Sequence, residues 1–216
     1  MNYPFFFDFI SPYAYVGWFR TDALAKKHGC QFVPVPVLFA GLLNHHGTKG
    51  PAEVPAKRTY VFKDATRKAA EVGLPLVPPP SHPFSPLLAL RIVSMVDDLK
   101  ARSELVSALF RLSWGGGGGV DDPHHVERML SEHAFDGASL VRAASTDEAK
   151  ARLRTQTEDA IKQGVFGVPT LLVDGEIFWG ADSLIHAEQR MLGRDPIDSV
   201  DLARWANLPA TASRLR

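Results

Sequence analysis

The sequence predicts an α/β fold carrying a helical insertion, and three stretches predict it. An aromatic run from Tyr3 to Phe9 stops at Ser11-Pro12 and leads into an amphipathic segment, which reads as a strand, a turn and a helix. A second apolar run follows from Gln31 to Leu38. Near the other end, Thr170–Val173 and Glu176–Trp179 flank Asp174-Gly175, a strong two-residue hairpin signal. The order is therefore strand, helix, strand, then helices, then helix, two strands, helix.

Each element has a local cause. Pro12 suits the first turn of a helix, where its missing N–H costs nothing. That helix runs through Trp18, Leu24 and Lys27 and stops near Gly29. Pro34 and Pro36 place the second strand at or near a sheet edge, most simply parallel to the first. Residues 41–54 hold Gly, His, Asn and Pro without a clear period and read as a loop. A helix is expected from Ala56 to about Val72, ended by Gly73 and Pro75, and an extended loop from Pro78 to Pro83. Helices follow over 84–99, 102–113 and 123–132, with Gly115–Gly119 as a flexible connector; the glycine run lacks the Lys-Ser/Thr ending of a phosphate-binding loop. Thr146 caps a helix reaching Gly164, with Asp147 and Glu148 in its first turn. Asp182 to Leu192 is the next helix, and Leu202 to Arg216 is a partly helical tail that frays. The expected division is 1–40 with 146–216 as one domain, and 41–145 as a helical insertion.

Composition excludes several functions. Lys plus Arg and Asp plus Glu balance at 24 each, so no global field attracts nucleic acid or anionic lipid. The single Cys30 makes an internal disulfide impossible. The N-terminal run contains Asp8 and no basic stretch, which does not read as a signal peptide, and no apolar run is long enough to span a bilayer. A cytoplasmic location is expected. His45-His46 and His124-His125 are adjacent pairs rather than ligands along one helix face, so no metal site is expected.

The chemistry concentrates at three places. In Phe7-Asp8-Phe9-Ile10-Ser11-Pro12-Tyr13-Ala14, Ser11 is either a simple N-cap or a group that favours an anion at a helix N-terminus. Val168-Pro169-Thr170 opens the third strand. Gly180-Ala181-Asp182-Ser183 opens the last predicted helix, which Asp182 could also cap.

Together these motifs and the element order make the whole chain resemble a thioredoxin-like fold of the DsbA type. Its nearest resemblance is to the family of 2-hydroxychromene-2-carboxylate isomerases and kappa-class glutathione transferases. In disulfide oxidoreductases of this fold the first motif is Cys-Pro-X-Cys; here it reads Ser-Pro-Tyr-Ala, and dithiol exchange has no reacting atoms. The resemblance implies a homodimeric enzyme that takes glutathione as cofactor or substrate. It places Ser11 beside the glutathione sulfur. It implies a cis bond at Val168-Pro169, leaving the Val168 backbone to pair with the cysteinyl part as an added strand. It assigns Gly180, Ala181, Asp182 and Ser183 to the γ-glutamyl end, with Asp182 accepting from its ammonium.

The implied substrate is an aromatic carboxylic acid of hydroxychromene or benzylidenepyruvate type. Lys57 and Arg58 are candidates to bind a carboxylate, and a solvated helix face explains them equally well. Glu53 departs from the asparagine and basic residues that relatives carry in the 47–53 loop. His82 is a candidate acid or base, with packing favoured, and Cys30 reads as a buried, inert thiol. Two other functions stay open: a kappa-like glutathione transferase, and a non-catalytic thioredoxin-like peptide-binding protein.

Overall fold

A computed structural model describes residues 1–197, 199–209 and 211–212. In chain order the elements are β1 (Asn2–Phe7), α1 (Pro12–His28), β2 (Gln31–Pro36), α2 (Phe39–His46), a single 3-10 turn (Pro51–Glu53) and α3 (Pro55–Ala70). Then come α4 (Leu87–Ser94), α5 (Leu99–Trp114), α6 (Pro123–Glu132), α7 (Gly137–Ala143) and α8 (Asp147–Lys162). The chain ends with β3 (Thr170–Val173), β4 (Glu176–Trp179), α9 (Leu184–Met191) and α10 (Ser199–Ala206). The sheet order is β2-β1-β3-β4. β1 and β2 are parallel, with Asn2 opposite Gln31 and Phe7 opposite Pro36, and β2 lies at the edge as its prolines require. β3 runs antiparallel to both β1 and β4. Asp174 and Gly175 both have positive φ, which is what a tight hairpin between β3 and β4 demands.

β1 is buried on both faces, which explains its unbroken aromatic run. Tyr3, Phe5 and Phe7 point into a core with Tyr15 and Trp18 of α1 and Leu105, Phe110 and Trp114 of α5. Phe7, Phe9 and Phe110 form an aromatic cluster with ring centres 4.8–5.4 Å apart. Phe6 points the other way, into a smaller core with Val37, Leu42, Ala160, Val165 and Val168 under α2 and α8.

The structure corrects several sequence expectations. Residues 41–54 are not a loop: they hold most of α2 and the 3-10 turn. The head of α2 is capped from far along the chain, which a local reading cannot see. Its N-cap residue Leu38 offers no side-chain cap; instead the Leu38 N–H donates to Thr157 Oγ1 (3.0 Å) and the Phe39 N–H to Asp8 Oδ2 (2.9 Å). The expected helix over 84–99 is shorter, because the chain turns at Met95 and restarts at Asp98, whose carboxylate caps α5 by accepting from the Ala101 N–H. α7 escaped the sequence reading; Asp136 caps it, accepting from the Ser139 N–H at 3.0 Å. The tail is helical over 199–206, and the fraying expected at its end falls partly on residues 213–216, outside the described residues. Among the described residues no helix is long and apolar enough to cross a membrane.

Two outcomes follow. A Cβ at Gly137 would sit 2.4 Å from the Glu127 carbonyl oxygen, so α6 and α7 meet there backbone to backbone. Gly137→Ala should lower stability by about 1–3 kcal/mol in urea unfolding. Asp8, 1% exposed, is pushed up to about 7 by burial, against the lowering effect of the Ile10 and Phe39 N–H groups. The unfolded chain ionises Asp8 near its ordinary value, while the folded chain holds the proton to about 7. Asp8 therefore favours the fold most below pH 4, and this contribution shrinks as pH rises toward 7, by up to about 4 kcal/mol. Asp8→Asn should flatten that part of the stability profile in urea titrations between pH 4 and 8.

Candidate active site

β1 ends and β3 begins at the same end of the sheet, because the two strands are antiparallel. This brings the turn after β1 against the segment before β3. The turn, Asp8 to Ser11, is held from every side. Asp8 Oδ1 accepts from the Ile10 N–H (3.0 Å), and the Ser11 N–H donates to the Asp8 carbonyl (3.1 Å). The Trp114 indole N–H donates to the Phe9 carbonyl (2.8 Å), and His82 Nε2 lies 3.1 Å from the Ile10 carbonyl. His82 sits among Phe62, Phe84 and Trp114, and burial pushes its pKa below the ordinary value, so it is neutral near pH 7 and supports the turn as a donor.

Ser11 is the N-cap of α1. Its Oγ accepts from the Ala14 N–H at 3.1 Å and lies 3.5 Å from the Val168 carbonyl oxygen, at the outer edge of hydrogen bonding. The simple-cap reading is thus true, and the hydroxyl proton still has no good acceptor. The Tyr13 N–H, one position into the helix, has no hydrogen-bond partner among the described residues. Facing this helix head is Val168, whose N–H is also unpartnered among them. The Val168-Pro169 bond is cis, as is His82-Pro83. Gly17 of α1 lies against Pro169, where a Cβ would meet the proline ring at 3.4 Å.

The third motif adjoins the second: the Gly180 N–H donates to the Pro169 carbonyl at 2.9 Å. Gly180 has φ +95°, and a Cβ there would meet Asp182 Oδ1 at 2.7 Å, so the carboxylate folds back over a position only glycine suits. Asp182 is exposed and does not cap α9. Ser183 holds the N-cap position, and its hydroxyl donates back to the Gly180 carbonyl at 2.8 Å. Ala181 is buried.

Between the first and third motifs lies a cluster that sequence reasoning missed. The Tyr13 hydroxyl donates to Asp64 Oδ2 of α3 (2.9 Å), and Lys68 pairs with the same oxygen (2.7 Å). Burial, then the Asp64 hydrogen bond, raises the Tyr13 pKa, to which Asp182 also contributes. Asp64 is held below the carboxylate range by Lys68. Lys57 and Arg58 lie exposed on the first turns of α3; the Arg58 guanidinium is spent on the His82 carbonyl at 2.6 Å. Glu53 folds back on its own 3-10 turn, accepting from the Gly50 N–H at 2.6 Å. Cys30 precedes β2, at the opposite end of the sheet from Ser11, and burial raises its pKa. Phe166 and Trp179, 43% and 55% exposed, stack edge to face beside Val168, with ring centres 5.2 Å apart. Among the described residues no three His, Cys, Asp or Glu side chains gather as metal ligands.

Comparison with known proteins shows the fold and the family. Residues 4–191 match the DSBA-like thioredoxin domain model. A 2-hydroxychromene-2-carboxylate isomerase of Pseudomonas putida is 30% identical over 92% of this chain and 98% of its own. Glutathione S-transferase kappa 2 of Caenorhabditis elegans is 28% identical over 83% of this chain and 87% of its own. The solved structure of a 2-hydroxychromene-2-carboxylate isomerase superposes with a TM-score of 0.82 at 27% identity, covering 94% of this chain and 99% of that one. The chain belongs to the DSBA-like thioredoxin family and, within it, to the family of the 2-hydroxychromene-2-carboxylate isomerases, and it is similar to kappa-class glutathione transferases.

Proposed function

We propose that this chain binds glutathione as a thiolate at Ser11 and uses it to isomerise an aromatic carboxylic acid of hydroxychromene or benzylidenepyruvate type, as a cytoplasmic homodimer. The observation that carries the reading is the Ser11 hydroxyl. It accepts from the Ala14 N–H at the head of α1 and faces Val168 across the turn. The residues fit the tripeptide. Two backbone donors without partners among the described residues, at Tyr13 and Val168, are left for acceptor atoms of a peptide, and Asp182 offers an exposed carboxylate. Bound glutathione would supply a sulfur that adds reversibly to a conjugated double bond, which turns single, rotates and re-forms.

The protein's own residues do the rest. Accepting from Ala14 leaves the Ser11 proton free for an anion, and the long contact to the Val168 carbonyl costs little to give up. The helix head and the Tyr13 N–H add to the field that keeps a sulfur ionised. The Val168 backbone pairs with the cysteinyl peptide group as an added strand. Asp182 receives the γ-glutamyl ammonium, and the first N–H groups of α9, with Gly180, Ala181 and Ser183 shaping the loop, receive its carboxylate. On the substrate side, within the 41–145 insertion, Lys57 is the freer cation for a carboxylate, since Arg58 is engaged with His82. If the adduct leaves instead of re-forming the double bond, the same site performs a kappa-like transfer, a reading favoured by the kappa-class relative.

Ser11→Ala should keep the fold and raise the pKa of bound glutathione, read from the ultraviolet thiolate band against pH. One hydrogen bond to a charged group is worth about 1.5–3 kcal/mol, or roughly one to two decades in the equilibrium. An unchanged thiolate titration contradicts the role given to Ser11. Asp182→Asn should lower glutathione affinity in calorimetric titrations about tenfold or more while leaving the melting curve in place, because Asp182 caps nothing. Unchanged affinity removes Asp182 from the site.

A further inference from the structure

Asp8 is a buried carboxyl group that the proposed chemistry does not use. It stands three residues before Ser11, and each of its oxygens serves a different part of the chain. Oδ1 accepts from the Ile10 N–H inside the turn, and Oδ2 accepts from the Phe39 N–H at the head of α2. α2 brings no side-chain cap of its own. From α2 the chain passes through Gly47 and the 3-10 turn into α3, which carries Lys57, Arg58 and Asp64, the last bonded to Tyr13. One carboxylate thus ties the Ser11 turn to the segment that leads to the opposite wall of the site.

We propose that Asp8 is a positioning residue for the glutathione site: its carboxylate clamps the Ser11 turn to the head of α2, and loss of its charge loosens the clamp and weakens binding of the tripeptide. The ligand in this proposal rests on the glutathione reading above. An ionised carboxylate offers two good acceptors, one for each N–H. A neutral carboxyl keeps one good acceptor, its carbonyl oxygen, while its hydroxyl oxygen accepts only weakly, so either the Ile10 or the Phe39 N–H is held less tightly. Weakening the Phe39 bond leaves the head of α2 to the Thr157 contact alone, and weakening the Ile10 bond loosens the turn that sets Ser11.

The groups around Asp8 leave this response to Asp8 itself. α1 brings Tyr13, which keeps its proton and donates it in a hydrogen bond to Asp64. The 78–83 loop brings His82, lowered by burial and bonded to the Ile10 carbonyl. α2 brings His45 and His46 at its far end, with His46 3.4 Å from the Val165 carbonyl. α8 brings the uncharged Thr157. Burial and the two N–H groups set the titration of Asp8, which falls within the working range of a cytoplasmic enzyme.

The test uses the full-length protein and S-methylglutathione, which has no thiol to ionise, so any pH dependence near neutrality belongs to the protein. Backbone amide shifts of Ile10 and Phe39 are followed by NMR from pH 5.5 to 8.5, beside calorimetric affinity for the probe. In the native protein both amides should titrate together, and the affinity should fall several-fold from pH 8 to pH 6 with the same midpoint. In Asp8→Asn both amides and the affinity should be flat. Amides that do not titrate, or an affinity that does not follow them, would overturn the role of Asp8. The native titration decides this even if Asp8→Asn does not fold. Amides that titrate without any affinity for the probe at any pH would instead overturn the glutathione reading, and the ligand of this proposal with it.

Discussion

A backbone that turns inside a protein keeps its polar groups, and each must find a partner there or go unsatisfied. The turn between β1 and α1 meets this requirement partly from within and partly from distant elements. Asp8, the first residue of the turn, serves the Ile10 and Ser11 N–H groups, Trp114 reaches in from α5 and His82 from the loop before α4, and the Asp8 carboxylate also caps α2. These bonds converge on four consecutive residues and fix where the chain emerges as Ser11. The aromatic packing of Phe7, Phe9 and Phe110 holds the same turn from the apolar side. The position of α2, the entry of α1 and the placement of the 78–83 loop all depend on this junction.

The groups left without partners gain their meaning from the groups that are satisfied. Around a junction paired this fully, the Tyr13 and Val168 N–H groups and the proton of Ser11 stand out, with Ser11 and Val168 facing each other. Asp182 and the head of α9 are tied to this place through the Gly180 bond to Pro169. Donors at one end and a carboxylate at the other suit a small zwitterionic peptide with an anionic sulfur better than an apolar ligand. The exposed Phe166 and Trp179 add an apolar margin beside Val168.

Much of this was legible in the sequence wherever the cause is local. The Ser11 cap, the Asp174-Gly175 hairpin, the edge prolines of β2 and the Thr146 cap each act within a few residues. The long-range features were not legible. α2 is short, contains Gly41 and depends for its cap on Asp8 and Thr157, some 31 and 119 positions away from the residues they serve. Asp182 sits where a helix cap belongs by pattern, yet the helix begins one residue later, because the Gly180 turn directs its carboxylate back. The Tyr13–Asp64–Lys68 cluster joins two helices and has no signature in either. Asp8 did leave a signal: a charged residue inside an otherwise apolar strand and turn must be paired or neutral, and here it is buried and paired with two N–H groups.

The central claim is a place for a sulfur, so the most direct measurement is a crystal structure of the protein with glutathione. The account predicts the sulfur within hydrogen-bonding distance of Ser11 Oγ, the cysteinyl peptide group paired with the backbone of Val168, and the γ-glutamyl ammonium on Asp182. A tripeptide bound elsewhere, or bound beside Val168 with its sulfur turned away from Ser11, would contradict it.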